Sequence, residues 1–203
     1  MQSYPHNPQV ILASGSATRR ALLTEAGILF QAHPSQVDEK RIKAHHPDLD
    51  AAEMAMLLAA AKARQISAAH PACFVIGCDQ MLDCDGVWLE KPETIEAVRD
   101  SLTRLAGRRH RLITAAVIMR DAQIVWAQTD VNWLKIKPLT ADEIEAYVRE
   151  KGAGVLGCLG GFKIEESLDL FDEINGTIDS IRGLPMASLT AFLSEHMPAA
   201  TKK

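Results

Sequence analysis

The fold is decided by the stretch Val10-Ile-Leu-Ala-Ser14-Gly-Ser16-Ala-Thr-Arg19-Arg20-Ala-Leu-Leu-Thr24, which predicts a strand, a short loop and a helix. Its first four residues are apolar, as a buried strand requires. The small residues of the Ser-Gly-Ser that follows let backbone N–H groups approach a ligand, and Ser16 is placed to cap the helix. Free N–H groups at a helix start and the guanidinium groups of Arg19 and Arg20 together favour an anion, phosphate first. Ordinary helix capping with solvated arginines is the alternative.

Size and charge limit the classes of function. The chain has 203 residues, of which 47% are hydrophobic, which predicts a single domain with a full core, with two lobes allowed. Its 22 basic and 26 acidic residues give a formal net charge of −4. A nucleic acid or an acidic membrane requires a basic surface, so neither is an expected partner. A polyphosphate ligand would need a local cluster of cations together with a metal ion.

Cysteine usage and the N-terminal residues predict a location. The sequence has four cysteines: Cys73, Cys78, Cys84 and Cys158. They form no Cys-x-x-Cys pair and have no histidine at zinc spacing, so we expect buried free thiols in a reducing compartment. Residues 1–8 lack the apolar core of a signal peptide, and no apolar run approaches the ~18 residues of a membrane span. These features predict a cytoplasmic protein with one domain over residues 1–203, ordered from about residue 9 to residue 197.

A second stretch, Cys73-Phe-Val-Ile-Gly-Cys-Asp79-Gln80, predicts a buried central strand with Asp79 at its carboxyl end. Ligands of open α/β sheets bind beyond the carboxyl ends of strands, so Asp79 is a candidate catalytic residue, and a turn-capping aspartate is the alternative. Asp85-Gly86 between short apolar runs predicts a two-residue hairpin. This hairpin would return the chain to Lys91 and bring Lys91 close to Asp79.

The remaining segments complete an alternation of helices and strands. An alanine-rich helix is predicted from Asp50 to Ala69, and it carries Lys62 between small residues that would let a cleft approach. Thr94–Ala106 is predicted as an amphipathic helix. The basic run Arg108-Arg109-His110-Arg111 lacks interleaved aromatic residues and is predicted as a solvated turn. Strands are predicted at residues 28–32, 112–119 and 124–136, and the last helix at residues 186–195.

These motifs, in this order, resemble the signature of the Maf family of nucleoside triphosphate pyrophosphatases. Leu12-Ala-Ser14-Gly-Ser16 is followed by the Arg pair and the Leu pair of that signature, with Ala17 where the family usually has proline. Gly77-Cys-Asp79-Gln80, the Asp-Gly hairpin and Glu90-Lys91-Pro92 match the next motifs, with Glu90 in place of the usual glycine. Gly183-Leu184-Pro185 closes the pattern, so the resemblance spans nearly the whole chain.

The resemblance implies a Maf/ITPase-like α/β fold, in which helices flank a central mixed, twisted sheet and two lobes enclose a cleft. It implies hydrolysis of a nucleoside triphosphate between its α- and β-phosphates, which releases the monophosphate and pyrophosphate. A divalent cation, Mg²⁺ or Mn²⁺, would be held by Glu39 and Asp79. Asp79 would accept the proton of the attacking water, and Glu39, Lys62 and Lys91 would complete the catalytic group.

Substrate-binding positions also follow from the resemblance. Gln80 with Glu165 is typical of the branch that acts on 7-methyl-GTP, whereas Thr18 lacks the large aromatic ring often found at its position. All three match family positions associated with selection of the base. The residues expected to hold the phosphates are Ser14, Arg19, Arg20, Lys62 and Lys91.

Two other functions stay open at the level of the sequence. One is a pyrophosphatase for dTTP- or UTP-type nucleotides. The other is a nucleotide-sensing inhibitor of septum formation in cell division, without essential catalysis. Asp79 favours an enzyme, because binding a triphosphate does not require a base. The expected partner is a nucleoside triphosphate, with no nucleic acid and no membrane, and a homodimer is left open.

Overall fold

The computed structural model describes residues 10–197, in which helices and strands alternate around one sheet. The strands are β1 (Val10–Leu12), β2 (Gln31–Ala32), β3 (Phe74–Cys84), β4 (Val87–Leu89), β5 (Arg109–Arg120), β6 (Gln123–Ile136) and β7 (Phe171–Asn175). The helices are α1 (Ala17–Glu25), α2 (Glu39–His45), α3 (Ala51–Ser67), α4 (Ile95–Leu105), α5 (Ala141–Lys151), α6 (Ile178–Arg182) and α7 (Met186–His196). Short 3₁₀ turns occupy much of the segment from Gly152 to Leu170.

The sheet has seven strands of mixed orientation. Its order is β2-β1-β3-β5-β6-β7, and β4 also pairs with β3. β1 is parallel to β2 and to β3, whereas β3 is antiparallel to β4 and to β5, and β5, β6 and β7 form an antiparallel series. The predicted α/β fold with a mixed sheet flanked by helices is therefore confirmed.

Strand β3 lies at the centre of the sheet and has a gap along one edge. β5 pairs with it from Val75 to Asp83. On the opposite edge β1 pairs only as far as Ile76, and β4 begins to pair only at Leu82. Between Ile76 and Leu82 no described strand is paired with this edge, so the space beside β3 is free to form a cleft.

Asp79 lies in the middle of β3, and the prediction that it stands at the carboxyl end of a strand was wrong. The strand continues because the residues from Met81 to Cys84 are buried and pair with both β4 and β5. Asp79 does lie just beyond Ile76, where the parallel neighbour β1 stops pairing. The rule that ligands bind beyond the carboxyl ends of parallel strands therefore applies to β1 and not to β3.

Helices cover both faces of the sheet. α3 packs on the face that carries Val75 and Met81, and α1 and α7 pack on the face that carries Ile76 and Cys78. α4 and α5 form a third apolar cluster with Leu82 and the 3₁₀ turns. Side-chain caps begin several of these helices: Ser16 caps α1 as predicted, and Asp50 and Thr140 form capping boxes on α3 and α5.

Two predictions of secondary structure were wrong in extent. Of the predicted strand 28–32, only Gln31–Ala32 forms β2, and both residues are exposed. The basic run begins β5 instead of forming a solvated turn, and His110 within it is only 1% exposed. Arg109 and Arg111 stack on Trp133 of β6 and pair with carboxylates of β7 and β3. These cross-strand contacts make a strand of a segment whose charges alone predict a turn.

The cysteines are free thiols, as predicted, and Cys158 alone of the four is partly exposed. Within residues 10–197, no helix combines the length and the apolar character needed to cross a membrane. Residues 1–9, which include the leader examined above, lie outside the described part of the chain.

Candidate active site

A cleft occupies the gap along β3 and reaches both faces of the sheet. Its part on the α3 side, the Asp79 pocket, lies between α2, β3 and the segment from β4 to α4, and its charged residues are Arg19, Glu39, Lys40, Lys43, Asp79, Glu90, Lys91 and Glu93. Its part on the α6 side, the Glu165 pocket, is lined by residues that include Thr18, Cys158, Phe162, Lys163, Glu165 and Arg182. Four residues line both parts: Arg19, Gln80, Lys91 and Leu159.

The alternation of side chains along β3 explains why the cleft has two parts. Successive residues of a strand point to opposite faces of the sheet. Asp79 faces α3, where it meets Lys62, and Gln80 faces α6, where it meets the backbone of Ser180 and Ile181. A ligand in the gap therefore contacts a carboxylate on one face and an amide on the other.

Lys62 is a buried lysine of α3 that joins two carboxylates. Its Nζ lies 2.5 Å from Oδ1 of Asp79 and 2.7 Å from Oε1 of Glu39, the first residue of α2. A buried ammonium requires such partners, because an unpaired charge inside a protein is costly. The structure thus brings three of the predicted catalytic residues into direct contact.

Burial and mutual charge shift the proton affinities of this group. Burial raises the pKa of Asp79, and the Lys62 ammonium opposes that rise only in part. Burial acts to lower the pKa of Lys62, but the Asp79 and Glu39 carboxylates outweigh it and the pKa is raised. Burial acts to raise the pKa of Glu39, but Lys62, Lys91 and Lys43 outweigh it and the pKa is lowered. Lys62 therefore stays an ammonium at neutral pH, while Asp79 is a stronger base than an ordinary aspartate.

Arg19 of α1 is 7% exposed and spans the gap. Its Nε donates to the carbonyl oxygen of Gly183 at 3.1 Å, and one terminal nitrogen donates to the carbonyl oxygen of Cys78 at 3.2 Å and to Oγ of Ser14 at 3.3 Å. The Cys78 carbonyl belongs to the stretch of β3 that has no strand partner on this edge, so Arg19 supplies the missing donor. Ser14 is buried and also accepts from the backbone N–H of Ser16 at 3.2 Å. Its hydroxyl oxygen therefore holds the loop to Arg19, and Ser14 lines neither pocket.

The two remaining cations predicted to bind phosphate differ in position. Arg20 is exposed and donates to the carbonyl oxygen of Gly15 at 2.9 Å, and it lines neither pocket. Lys91 lines both pockets. Partial burial and the nearby Arg19 and Lys62 cations lower the pKa of Lys91. The structure therefore places Lys91 in the cleft and leaves Arg20 outside it.

Thr18, Gln80 and Glu165, the predicted base-selecting residues, all line the Glu165 pocket. The side-chain nitrogen of Gln80 donates to three oxygen atoms of β5 and α6, at 2.9 to 3.1 Å. Its hydrogens are therefore committed to the protein, and Oε1 is the atom left to accept a hydrogen bond from a ligand. The carboxylate of Glu165 can also only accept when it is ionised. The pocket thus presents acceptors to the donor groups of a ligand.

Several charged residues of the cleft were not singled out from the sequence, among them Arg182 and Lys43. Arg182 ends α6, holds Glu25 of α1 with two hydrogen bonds of 2.9 Å, and has its Nε 4.0 Å from Oε1 of Glu165. Its place immediately before the closing Gly-Leu-Pro motif is a signal that could have singled it out. Lys43 of α2 pairs with Glu90, which is 47 residues away in the sequence, and no local pattern indicates that contact.

The carboxylates of the Asp79 pocket could hold a metal ion only if a bound ligand supplied further oxygen atoms. Among residues 10–197 there is no group of three or more His, Cys, Asp or Glu side chains that could hold a metal ion. Glu39 and Asp79 do reach a common point, because both contact the same Lys62 nitrogen. Mg²⁺ is commonly held by one or two carboxylates together with substrate phosphates, and these two residues fit that arrangement.

Comparisons with known proteins agree over nearly the full chain. The family described as Maf-like protein matches residues 9–196. A nucleoside triphosphate pyrophosphatase of Rhodospirillum rubrum is 40% identical over 192 residues, which cover 93% of this chain and 95% of that protein. A 7-methyl-GTP pyrophosphatase of Rhizobium etli is 37% identical over 191 residues, which cover 93% of this chain and 96% of that protein. A nucleoside triphosphate pyrophosphatase of Granulibacter bethesdensis is 36% identical over 191 residues, with 93% and 97% covered.

Proposed function

The chain belongs to the family of Maf-like proteins, and on that premise we propose that it hydrolyses nucleoside triphosphates between the α- and β-phosphates, to the monophosphate and pyrophosphate. The observation that carries the proposal is the Glu39–Lys62–Asp79 group at the gap in β3, in which Lys62 and Asp79 are buried. A protein that only binds nucleotides needs cations for the phosphates, but it does not need a buried base. The names of the relatives do not favour a nucleotide sensor without catalysis.

The nucleotide would cross the edge of the sheet through the gap. Its phosphates would lie in the Asp79 pocket, and its base would lie in the Glu165 pocket on the other face. Arg19 and Lys91 line both pockets and would meet the phosphates where they pass β3. Arg20 lies outside both pockets, so its predicted contact with phosphate has no support from its position. Ser14 would act through Arg19, whose guanidinium it holds at 3.3 Å.

In the reaction, a water molecule would attack phosphorus at the α–β anhydride. The water gives a proton to Asp79, its oxygen bonds to phosphorus, and the bond from that phosphorus to the bridging oxygen breaks, so that the monophosphate and pyrophosphate separate. Oδ1 of Asp79 accepts a hydrogen bond from Lys62, so Lys62 fixes the orientation of the carboxylate and leaves Oδ2 for the water. A divalent cation, Mg²⁺ or Mn²⁺, held by Glu39 and Asp79 with phosphate oxygens, would neutralise charge on the triphosphate.

The base is proposed to be a guanine type, with 7-methyl-GTP the first candidate. Oε1 of Gln80 and the Glu165 carboxylate accept hydrogen bonds, and the edge of guanine carries N–H donors. A base without those donors would lose these hydrogen bonds to the half-buried Gln80 and the exposed Glu165, which weakens binding. Thr18 offers no aromatic ring to stack on a methylated base, so we expect measurable turnover of other triphosphates as well. The alternative is a preference for dTTP or UTP.

Two measurements test the function. Asp79→Asn is expected to lower kcat by about 10²–10⁴-fold while nucleotide still binds, since removal of a general base has effects of that size. Asp130→Asn, in β6 and outside both pockets, is the matched control and should leave kcat unchanged. Near-normal turnover by Asp79→Asn would remove Asp79 from the mechanism.

The proposed base is tested by comparing pyrophosphate release from 7-methyl-GTP, GTP, dTTP and UTP. A preference for dTTP or UTP over both guanine nucleotides would overturn the proposed base.

We further propose that the protein works in the cytoplasm, where its substrates are made. The free cysteines support this location, because disulfides are rare in reducing compartments. The single domain stays a prediction from the sequence, and a homodimer stays open.

A further inference from the structure

An ion pair joins the two walls of the Asp79 pocket. Lys43 lies on α2, and Glu90 lies in the segment between β4 and α4. Nζ of Lys43 is 2.7 Å from Oε1 of Glu90, and both residues line the pocket together with Lys91. Lys91, the residue after Glu90, is already assigned to the phosphates, and Lys43 lines the same pocket.

Most of the positive charge around this pocket is already in use. The guanidinium of Arg19 donates to two carbonyl oxygens and to Ser14, and the ammonium of Lys62 contacts Glu39 and Asp79. Among the pocket residues within the described range, Lys40 and Lys91 are the ones with an ammonium outside any ion pair. A triphosphate carries several negative charges, so two free lysines would neutralise only part of its charge.

The two members of the pair differ in exposure. The side chain of Lys43 is 20% exposed, whereas that of Glu90 is 74% exposed. The glutamate can therefore turn into water with little loss, because exposed ion pairs contribute little to stability. Lys43 would stay where it is, between the wall of the pocket and any ligand inside it. The charge of Lys43 already reaches the reaction centre, since it is one of the cations that lower the pKa of Glu39.

We propose that Lys43 is a further phosphate-binding residue and that Glu90 is its displaceable counter-ion. An incoming triphosphate takes the ammonium of Lys43 away from Glu90, whose carboxylate turns out into solvent. The released pyrophosphate is held by the same lysine until Glu90 competes for it again. This exchange rests on the proposed function, because it assigns the Asp79 pocket to the phosphates.

The two interpretations of the ion pair predict different changes in KM. If Glu90 is exchanged for the ligand, the two single substitutions change KM in opposite directions; if the pair is only structural, they change it in the same direction. Under exchange, Lys43→Gln removes a charged contact and should raise KM for the triphosphate roughly tenfold or more. Glu90→Gln frees the lysine and removes a competing negative charge, so it should lower KM by about threefold. If the pair only fastens α2 to the opposite wall, both substitutions break it equally, and both should raise KM.

Binding of inorganic pyrophosphate, measured by calorimetry on each variant, gives a readout that does not depend on turnover. The dissociation constant should rise for Lys43→Gln and fall for Glu90→Gln. Lys135→Gln and Asp172→Asn break a comparable pair, 3.6 Å long and outside both pockets, and should change nothing. Shifts in the same direction for both test variants, or no shift, would overturn the exchange. If the parent hydrolyses no triphosphate yet the opposite shifts appear with pyrophosphate, the proposed function fails and Lys43 remains an anion-binding residue.

Discussion

Lys91 and Lys62 are both lysines of the cleft, yet their surroundings move their proton affinities in opposite directions. Lys62 has carboxylate partners at 2.5 and 2.7 Å, and its pKa is raised. Lys91 has partial burial and two neighbouring cations, and its pKa is lowered. As pH rises, Lys91 is therefore the first of the two to lose its charge.

This difference predicts the alkaline side of the pH profile. The kcat/KM of the parent should fall with rising pH below the range of an ordinary lysine, as Lys91 becomes neutral. Lys91→Arg keeps the charge at all accessible pH values, so it should shift this fall to higher pH. The profile is measured with one triphosphate from neutral to alkaline pH, and Lys135→Arg, which lies outside both pockets, serves as the control. An unchanged alkaline limb in Lys91→Arg would show that another group controls it.

His110 predicts how stability depends on acid. Burial lowers its pKa from 6.5 to about 4, and its Nε2 has no hydrogen-bond partner among the described residues. The unfolded chain takes up this proton below about pH 6.5, and the folded chain does so only near pH 4. The free energy of unfolding should therefore fall as pH decreases through this window, by about 3 kcal/mol from this one residue.

Urea unfolding of the parent and of His110→Leu at pH 7 and pH 4.5 measures this contribution. The loss of stability between the two pH values should be smaller in the variant by most of that amount. Replacing the exposed His46 by Gln should leave the parent's loss intact. Equal losses in the parent and in His110→Leu would assign the acid sensitivity to the carboxylates.

At the scale of elements, the contact between α3 and β3 depends on Gly77. A Cβ at this position would lie 2.1 Å from the carbonyl oxygen of Ala59 and 2.8 Å from the backbone nitrogen of Ala63. Backbone atoms cannot move aside as a flexible side chain does, so Gly77→Ala should push α3 away from the sheet. We expect the free energy of unfolding to fall by about 1–3 kcal/mol.

The same displacement should also impair catalysis, because Lys62 on α3 must reach Asp79 on β3. Gly154→Ala is the matched control, since nothing lies within 4 Å of a Cβ there. Chemical denaturation and kcat are the two measurements. A Gly77→Ala variant as stable as Gly154→Ala would mean that the helix and the strand have more freedom than their contact indicates.

Most helices could be predicted from the sequence because their signals are local. Ser16 caps α1 as expected, and the capping partners of Ser16, Asp50 and Thr140 all lie within three residues. The exact place of Asp79 could not be predicted, since it depends on where β1 and β4 stop pairing with β3. An apolar run cannot show where its neighbouring strands end.

The sequence also predicts a site more easily within one element than between elements. Lys62 and Asp79 lie on different elements, and their meeting was indicated only by the family resemblance. The partnership of Lys43 with Glu90 joins residues 47 positions apart, and a single sequence carries no signal for it. Arg20 follows Arg19 directly in the motif, yet it is exposed and lines neither pocket, because neighbouring residues of a helix need not share the direction of their side chains.

At the scale of the whole molecule, a ligand that crosses the gap contacts elements from both ends of the chain. We therefore expect a triphosphate to stabilise the entire fold of Asp79→Asn, in which turnover does not consume it. At 100 times its dissociation constant a ligand adds about 2.7 kcal/mol, which corresponds to about 5–10 °C in Tm for a chain of this size. The corresponding monophosphate at the same concentration should give a smaller shift. Equal shifts with the two nucleotides would show that the Asp79 pocket contributes nothing to phosphate binding.

The hydrogen bond from Arg19 to the Gly183 carbonyl oxygen spans 164 residues, and it has a consequence for protein synthesis. As the chain leaves the ribosome, the loop before α1 emerges first, and the carbonyl that anchors its arginine follows 164 residues later. Until then the guanidinium lacks one of its partners, and the cleft lacks the wall formed by α6. A chain that ends before α6 therefore has no finished site, and we expect it not to hydrolyse triphosphates.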